Sequence, residues 1–339
     1  MTVKRINVAL QGGGALGAFT WGVLERLLED DRIEIAAVSG ASAGAMNAVV
    51  LADGLGQGGR EQARAALRRF WEGVARAGAS SPYRRTPLMK FLGAFAPAWA
   101  SWGAWADAMT RVASPYDLNP LNINPLREVV GELVDFGRVR ACEQLGVFIA
   151  ATNVETGKVR VFKRDELSVD HVMASACLPL IFQAVEIDGA PYWDGGYMGN
   201  PPLFPLFDAN DSADVMIVQI NPLIRKGAPR TAPDILARID EITFNASLLR
   251  ELRAIEFVQR LLAENRIEQS RYKDILVHVI EDERALAKFG SGADMNTDLA
   301  FFEELRKIGH ATCARWLTSH FEALGARSTV DLRAMFAGE

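Results

Sequence analysis

The chain has 339 residues, of which 49% are hydrophobic and 23% are charged, a composition typical of globular proteins with a sizeable core. Its formal net charge of −5 argues against nucleic acid as the main partner, because phosphate binding depends chiefly on clustered Lys and Arg. The three cysteines, Cys142, Cys177 and Cys313, lie far apart, so neither a disulfide framework nor a Cys-x-x-Cys metal site is indicated.

The amino terminus enters a strand-like run directly, without the continuous apolar region and small-residue cleavage site of a secretory signal. No uninterrupted apolar segment reaches the length of a transmembrane helix. We therefore expect a cytoplasmic protein. Peripheral contact with a membrane is a hypothesis that depends on a tryptophan-rich stretch further along the chain.

The first predicted strand spans 5–11 and ends at a glycine-rich turn that leads into a helix, Gly12-Gly13-Gly14-Ala15-Leu16-Gly17. Backbone amides at such a turn can hold an oxyanion or a phosphate, because glycine permits close approach and the following helix adds its positive end. The turn also satisfies Gly-x-Gly-x-x-Gly. A dinucleotide-binding alternative therefore stays open, with a nominal ribose carboxylate at Glu29, Asp30, Asp31 or Glu34.

A Gly-x-Ser-x-Gly pentapeptide, Gly40 to Gly44, follows a second strand-like run and precedes a helix-like run at 45–50. In a nucleophile elbow of this kind the turn is sharp, and the flanking glycines avoid clashes with the neighbouring strand and helix. Ser42 would stand clear of the sheet, close to the positive end of the helix. Two adjacent parallel strands would then present Ser42 and the glycine-rich turn at the same sheet edge.

A serine hydroxyl needs a base to become a nucleophile. The candidate is Asp194, in Asp194-Gly195-Gly196, because two glycines after a carboxylate allow a tight turn that brings it against another loop. An ordinary Asp-Gly turn is the alternative interpretation.

A triad that runs serine, acid, histidine along the chain could use His278, His310 or His320. The sequence around each does not favour this role, because His278 lies inside an apolar strand and the other two lie in a helical stretch. His171 precedes the acid. These positions are consistent with a site that has no histidine.

Together, Gly12-Gly13-Gly14-x-x-Gly17, Gly40-x-Ser42-x-Gly44 and Asp194-Gly195-Gly196 resemble the motifs of the patatin-like phospholipase family. The similarity runs from the first strand to about Pro202 and includes Ser175-Ala176-Cys177-Leu178-Pro179, which resembles the family's Ala-Ser-x-x-x-Pro segment. The resemblance implies a three-layer α/β/α fold with a mostly parallel central sheet and helical insertions.

The resemblance further implies a catalytic dyad, with Ser42 as nucleophile, Asp194 as general base and the amides of Gly12, Gly13 and Gly14 as an oxyanion hole. The implied reaction is cleavage of fatty acyl esters of lipids through an acyl-enzyme, of the phospholipase A, lysophospholipase or esterase type, without cofactor or metal. An acyltransferase would use the same residues. A non-hydrolytic nucleotide- or lipid-binding module remains the alternative.

One position departs from the family pattern. Many members carry Arg or Lys just before the last glycine of the loop, where this chain has Leu16. If that basic residue serves anionic head groups, its absence brings neutral acyl esters into consideration as substrates beside phospholipids.

The remaining sequence predicts a single domain over 1–339, with core motifs in 5–202 and a mainly helical C-terminal part at 230–339. A glycine-rich loop at 54–59 precedes a helix at 61–77, and an insertion or lid is expected at 80–120. Within that insertion Trp99, Trp102 and Trp105 suggest peripheral membrane contact. Further predicted strands lie at 146–153, 158–162, 183–187, 214–220 and 275–280, and further helices at 168–177, 234–265 and 297–324. No feature of the sequence indicates an oligomeric state.

Overall fold

The computed structural model describes residues 3–80, 114–268, 270–290 and 293–337. Within these residues one sheet has eight strands in the order β5-β6-β3-β2-β1-β7-β8, with β4 also paired to β3. The strands are β1 Lys4–Leu10, β2 Ile33–Gly40, β3 Gly146–Asn153, β4 Val159–Lys163, β5 Val185–Ile187, β6 Ala190–Asp194, β7 Asp214–Val218 and β8 Leu276–Ile280.

Helices cover both faces of this sheet. They are α1 Gly17–Leu28, α2 Ala43–Gly58, α3 Arg60–Ser80, α4 Pro115–Leu118, α5 Pro125–Leu133, α6 Phe136–Ala141, α7 Val169–Ser175, α8 Phe204–Phe207, α9 Ala232–Ala263, α10 Glu283–Leu286, α11 Leu299–His320 and α12 Leu332–Phe336. The α9 and α12 helices pack on one face, and α1, α2, α3 and α11 pack on the other. The three-layer α/β/α fold is therefore confirmed.

The strands in the middle of the sheet are parallel: β3, β2, β1, β7 and β8 run in one direction, and β4, β5 and β6 pair antiparallel. Successive side chains of the buried strands point to opposite faces, so Met216 and Val218 join the larger core while Val215 and Ile217 join the smaller one. Burial on both faces explains why these strands are continuously apolar in sequence.

The glycine-rich loop predicted at 54–59 is wrong, because α2 continues through this segment to Gly58 and the chain turns only at Gly59, which has a φ of 83°. A Cβ on Gly54 would overlap the backbone of Ala63 in α3. The glycine therefore permits two helices to approach closely and does not mark a turn, a distinction that local sequence cannot make.

The other predicted elements are present with ends shifted by a few residues. The Asp234–Asn265 helix is observed as α9, and the 297–324 helix as α11 followed by a 3₁₀ turn at Phe321–Ala323. Of the insertion expected at 80–120, residues 81–113 lie outside the described residues, and so do Trp99, Trp102 and Trp105. Among the helices that are described, none is both long and apolar enough to cross a membrane.

The contact between α1 and α11 predicts a large difference between two glycine substitutions. A Cβ on Gly309 would overlap the carbonyl oxygen of Phe19 in α1, whereas a Cβ on Gly131, an exposed residue of α5, meets nothing closer than 3.9 Å. We expect Gly309→Ala to lower the free energy of unfolding by ~2–3 kcal/mol, because the two helices must separate. Gly131→Ala should raise it by ~0.5–1 kcal/mol, because alanine favours a helix interior. Urea unfolding of both variants tests the contact, and equal stabilities would contradict it.

Candidate active site

Ser42 occupies a strained backbone conformation between β2 and α2. Its φ of 52° and ψ of −122° lie in a region that residues with a side chain rarely adopt. The turn is tight, since a Cβ on Gly40 would lie 2.6 Å from the backbone carbon of Gly44, and a Cβ on Gly44 would overlap the carbonyl of Leu10 in β1. The predicted elbow is therefore present, with Ser42 immediately before the first residue of α2.

Ser175, the last residue of α7, forms hydrogen bonds with the backbone of the elbow. The Ser42 amide donates to the Ser175 hydroxyl oxygen at 3.0 Å and to its carbonyl oxygen at 3.1 Å. Ser175 is fully buried, so this double contact is shielded from water. The Ser175–Pro179 segment therefore has a physical role at the site, since it fixes the backbone of Ser42.

Asp194 ends β6 and lies at the same site. Its amide donates to the carbonyl of Cys177 at 2.8 Å, and its carbonyl accepts from the Thr152 hydroxyl at 2.8 Å. A Cβ on Gly195 would overlap the carbonyl oxygen of Ala150 in β3. The glycine after Asp194 thus permits the close backbone approach that the sequence suggested.

The Asp194 carboxyl group is fully buried and only partly paired. Its Oδ1 accepts from the Gly196 amide at 2.7 Å, whereas its Oδ2 has no partner in hydrogen-bonding geometry among the described residues. Burial raises the pKa of Asp194 from 3.8 to about 7, against smaller lowering effects of the Gly196 amide and of the Ser42 hydroxyl. The structure therefore brings Ser42 and Asp194 to the same site, with one carboxylate oxygen unpaired among the described residues.

The glycine-rich turn after β1 is clamped by Asn200. The Gly12 amide donates to Asn200 Oδ1 at 2.6 Å, so it cannot also donate to an oxyanion, and the expectation that Gly12 contributes a donor is corrected. The amides of Gly13 and Gly14 have no hydrogen bond to the described residues. Gly14 has a φ of 55° and begins a 3₁₀ turn, Gly14–Leu16, that leads into α1.

A buried network of side-chain amides supports this turn. Gln11 Oε1 accepts from the amides of Ile220 and Asn221, both at 2.9 Å, and Asn221 Nδ2 donates to the carbonyl of Gly12 at 2.6 Å. The backbone N–H of Asn200 in turn donates to the Ser247 hydroxyl oxygen at 3.1 Å. No chemical role for these residues is indicated by their local sequence. A hydrogen-bond network assembled from β1, β7 and α9 leaves no local signal that could have identified them.

A cavity of about 620 Å³ opens beside these groups. Its wall includes Ser42 and the Gly13-Gly14 turn, together with apolar side chains that suit an acyl chain, among them Leu16, Leu178, Ile220, Phe244 and Leu286. No cluster of three or more metal-ligating side chains is found in the part of the chain that is described.

The four histidines lie away from this cavity and have other partners. His278 is fully buried and bonds Asp214 at 2.8 Å, His310 bonds Glu29 at 2.8 Å, and His171 bonds the Ser168 hydroxyl at 2.8 Å. His320 packs edge-on against Trp316. None of them lines the cavity.

The dinucleotide-binding alternative does not fit the topology. Lys4 pairs with Ile33 and Leu10 with Gly40, so the nominal ribose carboxylates at 29–34 lie near the start of β2 and the glycine turn lies beyond the end of β1. These ends are about 20 Å apart, at about 3.3 Å for each strand residue. Asp30 is also occupied by Arg32, whose side chain lowers the pKa of Asp30 to about 2.

Two solved structures are similar to this chain at low sequence identity. Among solved structures, the chain is similar to VipD from Legionella pneumophila at 15% identity, with 94% of this chain and 67% of that chain covered and a TM-score of 0.43. It is also similar to ExoU of the type III secretion system of Pseudomonas aeruginosa, solved with SpcU, at 16% identity, with 93% and 53% covered and a TM-score of 0.34. The chain thus spans about half of the ExoU chain.

No curated protein matches the chain at a significant level. The family model described as patatin-like phospholipase matches residues 8–207, which is more than half of the 339 residues and includes the elbow, the glycine-rich turn and the Asp194 loop. The chain therefore belongs to the patatin-like phospholipase family.

Proposed function

We propose that this protein is a serine acyl hydrolase that cleaves fatty acyl esters of lipids, with Ser42 as nucleophile and Asp194 as general base. The observation that carries this proposal is the fully buried Asp194 carboxyl group, whose Oδ2 has no hydrogen-bond partner among the described residues and whose pKa is raised to about 7 by burial, against a lowering effect of the Ser42 hydroxyl. An ordinary Asp-Gly turn would expose the carboxylate to water and leave its pKa near the usual value.

In the acylation step Ser42 Oγ attacks the ester carbonyl carbon while its proton passes to Asp194 Oδ2. A carboxylate with a pKa near 7 is a much stronger base than an ordinary aspartate, and it remains mostly ionised slightly above neutral pH. The protonated Asp194 then donates to the departing alkoxide, so that the alcohol leaves neutral and the acyl group stays on Ser42.

The negative charge that develops on the carbonyl oxygen needs donors that are already in place. The Gly13 and Gly14 amides have no hydrogen-bond partner among the described residues, and Asn200 and Asn221 hold the turn in place through Gly12. The first turn of α2 adds its positive end next to Ser42. Each lost donor at such a site typically reduces the rate by ~10²–10³-fold.

Deacylation repeats the same proton transfers with water. Asp194 removes a proton from a water molecule that attacks the acyl-enzyme, and the proton returns to Ser42 Oγ as the fatty acid is released. No other titratable group is required.

We also propose that the C-terminal helices belong to the same domain as the site. Asp294 packs against Gly14, and α11 packs on α1.

Ser42→Ala and Asp194→Asn should each reduce the release of free fatty acid by about 10³-fold or more, because each removes one half of the dyad. The measurement compares both variants with wild-type protein on a panel of phospholipids and neutral esters. Ser319→Ala and Asp208→Asn, at exposed positions away from the cavity, are matched controls and should keep wild-type activity. Fully active Ser42→Ala protein, or a wild-type protein inactive on every ester, would contradict the proposal.

The pKa of Asp194 predicts the pH dependence of the reaction. The ionised carboxylate is the active base, so kcat/KM should rise with pH along a single-proton curve with its midpoint near 7. An aspartate in water would give a curve that is already flat above pH 5. A pH series on a non-ionising ester distinguishes the two, and a plateau reached below pH 5 would refute the role of a buried base.

The same shift predicts that Asp194→Asn stabilises the protein at alkaline pH. Because the pKa of Asp194 is raised on folding from 3.8 to about 7, wild-type protein loses stability as the pH rises through this interval. The loss is at most about 4 kcal/mol, at 1.36 kcal/mol for each pKa unit. Urea unfolding should therefore show Asp194→Asn to be more stable than wild type at pH 8, with a smaller difference at pH 4.5. Asp208→Asn, which removes an exposed carboxylate, is the matched control.

A further inference from the structure

The cavity beside Ser42 has more acidic than basic side chains on its wall. Three are basic, Arg225, Lys226 and Arg284, and five are acidic, Asp240, Glu241, Glu281, Glu283 and Asp294. Two of the acids have partners. Arg225 Nε donates to both carboxylate oxygens of Glu241 at 2.9 Å, and Glu283 accepts from the Leu223 amide at 3.2 Å.

Asp240 and Asp294 form a pair of like charges without a cation. In the ranges that the structure describes, neither has an ion-pair partner, and neither Lys226 nor Arg284 lowers their pKa. Both residues are exposed overall, at the rim of the cavity. Partial enclosure raises the pKa of Asp240, and the nearby charges of Asp294 and Glu241 raise it further. Partial enclosure also raises the pKa of Asp294, against the lowering effect of hydrogen bonds from its own amide and from that of Met295. Carboxylates that repel each other at the rim of a cavity attract a cation to that rim.

The pair lies next to the groups proposed for catalysis. A Cβ on Gly14 would overlap the carbonyl oxygen of Asp294, so the Asp294 segment packs directly against the turn proposed to bind the oxyanion. Asp240 lies on α9, one helical turn before Phe244, and both line the cavity that contains Ser42. A group bound between the carboxylates would therefore belong to the same molecule as the ester.

Aromatic rings accompany the acidic pair. Tyr197 and Phe244 line the cavity and pack edge-to-face, with ring centroids 5.4 Å apart. Aromatic faces combined with carboxylates are the chemistry that binds alkylammonium groups, because the ring quadrupole and the negative charge both attract a weakly hydrated cation.

Gln219 gives a separate indication that the cavity receives a polar ligand. This residue follows β7, lines the cavity and is only 1% exposed. Its Nε2 and Oε1 atoms both lack hydrogen-bond partners among the described residues. A buried amide left in this state is costly, and the cost is removed when a polar group enters beside it.

A metal ion fits the acidic pair less well than an organic cation does. Divalent ions require several oxygen ligands at short range, whereas the described residues contain no group of three or more acidic, histidine or cysteine side chains able to hold one. Leu16 also lines the cavity, so this position adds no positive charge to the cavity wall, whereas many family members have a basic residue there.

We propose that Asp240 and Asp294 bind an ammonium group on the alcohol part of the substrate, so that the Ser42 site prefers acyl esters of cationic or zwitterionic alcohols to neutral or anionic ones. This inference rests on the proposed hydrolase function and adds the charge of the substrate to it. The two residues act in binding and orientation, and the chemical steps at Ser42 are unchanged.

Two esters of one fatty acid test this preference. Lauroylcholine and the lauroyl ester of 3,3-dimethylbutanol have nearly the same shape and differ in one positive charge. We expect wild-type protein to show a kcat/KM at least about tenfold higher for the choline ester, a modest estimate for two carboxylates near a cation. In Asp240→Asn/Asp294→Asn the ratio should fall to within about twofold of unity, and this ratio is compared whatever the absolute rates of the variant.

The double variant Asp208→Asn/Asp211→Asn removes the same charge from exposed positions outside the cavity and should keep the wild-type ratio. A wild-type ratio near unity, or a ratio unchanged in the cavity variant, would overturn the inference while hydrolysis of the neutral ester still supported the proposed function. Loss of hydrolysis of both esters in wild-type protein would instead contradict the function itself. Stimulation of neutral-ester hydrolysis by Ca²⁺ that disappears in the cavity variant would assign the pair to a metal ion and also overturn the inference.

Discussion

The site depends on the close approach of the chain segments that follow β1 and β2, on either side of Ser42. The surrounding contacts hold the strained backbone of Ser42 in place. Gly40 and Gly44 approach so closely that neither has room for a side chain, and the Ser42 amide donates to both the hydroxyl and the carbonyl oxygen of Ser175. The same tight packing sets the glycine turn beside the elbow, since a Cβ on Gly12 would lie 2.8 Å from the Cβ of Ser42. Small residues here therefore determine the distance between Ser42 and the glycine turn that is proposed to bind the oxyanion.

Polar groups around the site divide into a satisfied set and an unsatisfied set. Gln11, Asn200 and Asn221 are fully buried or nearly so, and their hydrogen bonds fix the turn. Asp194 Oδ2 and the Gln219 amide are buried as well, yet lack partners among the described residues. Unpaired buried groups lower stability, so the presence of these three atoms at the proposed site is the pattern expected when stability is exchanged for function.

Sequence predicted the parts of this molecule that are encoded locally. Glycines at 12–14, 40 and 44 are needed for backbone reasons that any strand–turn–helix would share, and the apolar runs marked the buried strands. The loop at 54–59 was wrong because Gly54 is required by α3, a partner that local sequence does not show. The roles of Asn200 and Gln219 could not have been found either, since one depends on a contact 188 positions away along the chain and the other on the lack of a hydrogen-bond partner among the described residues. The segment of Ser175 was identified through the family resemblance, but its contact with Ser42, 133 positions away, has no local signal.

Burial of Asp194 explains how the proposed dyad could work without a histidine. An imidazole has a pKa near 6.5 in water and needs little adjustment to act as a base at neutral pH, whereas a carboxylate in water is too weak a base. Enclosure within β3, β6 and the Cys177 segment raises the pKa of Asp194 into the same range, and the single Gly196 amide is too little to reverse this. A second or third amide on the carboxylate would stabilise its charge and remove its basicity. The unpaired Oδ2 is therefore a requirement of the proposed chemistry, because the base must stay short of hydrogen bonds until the serine proton arrives.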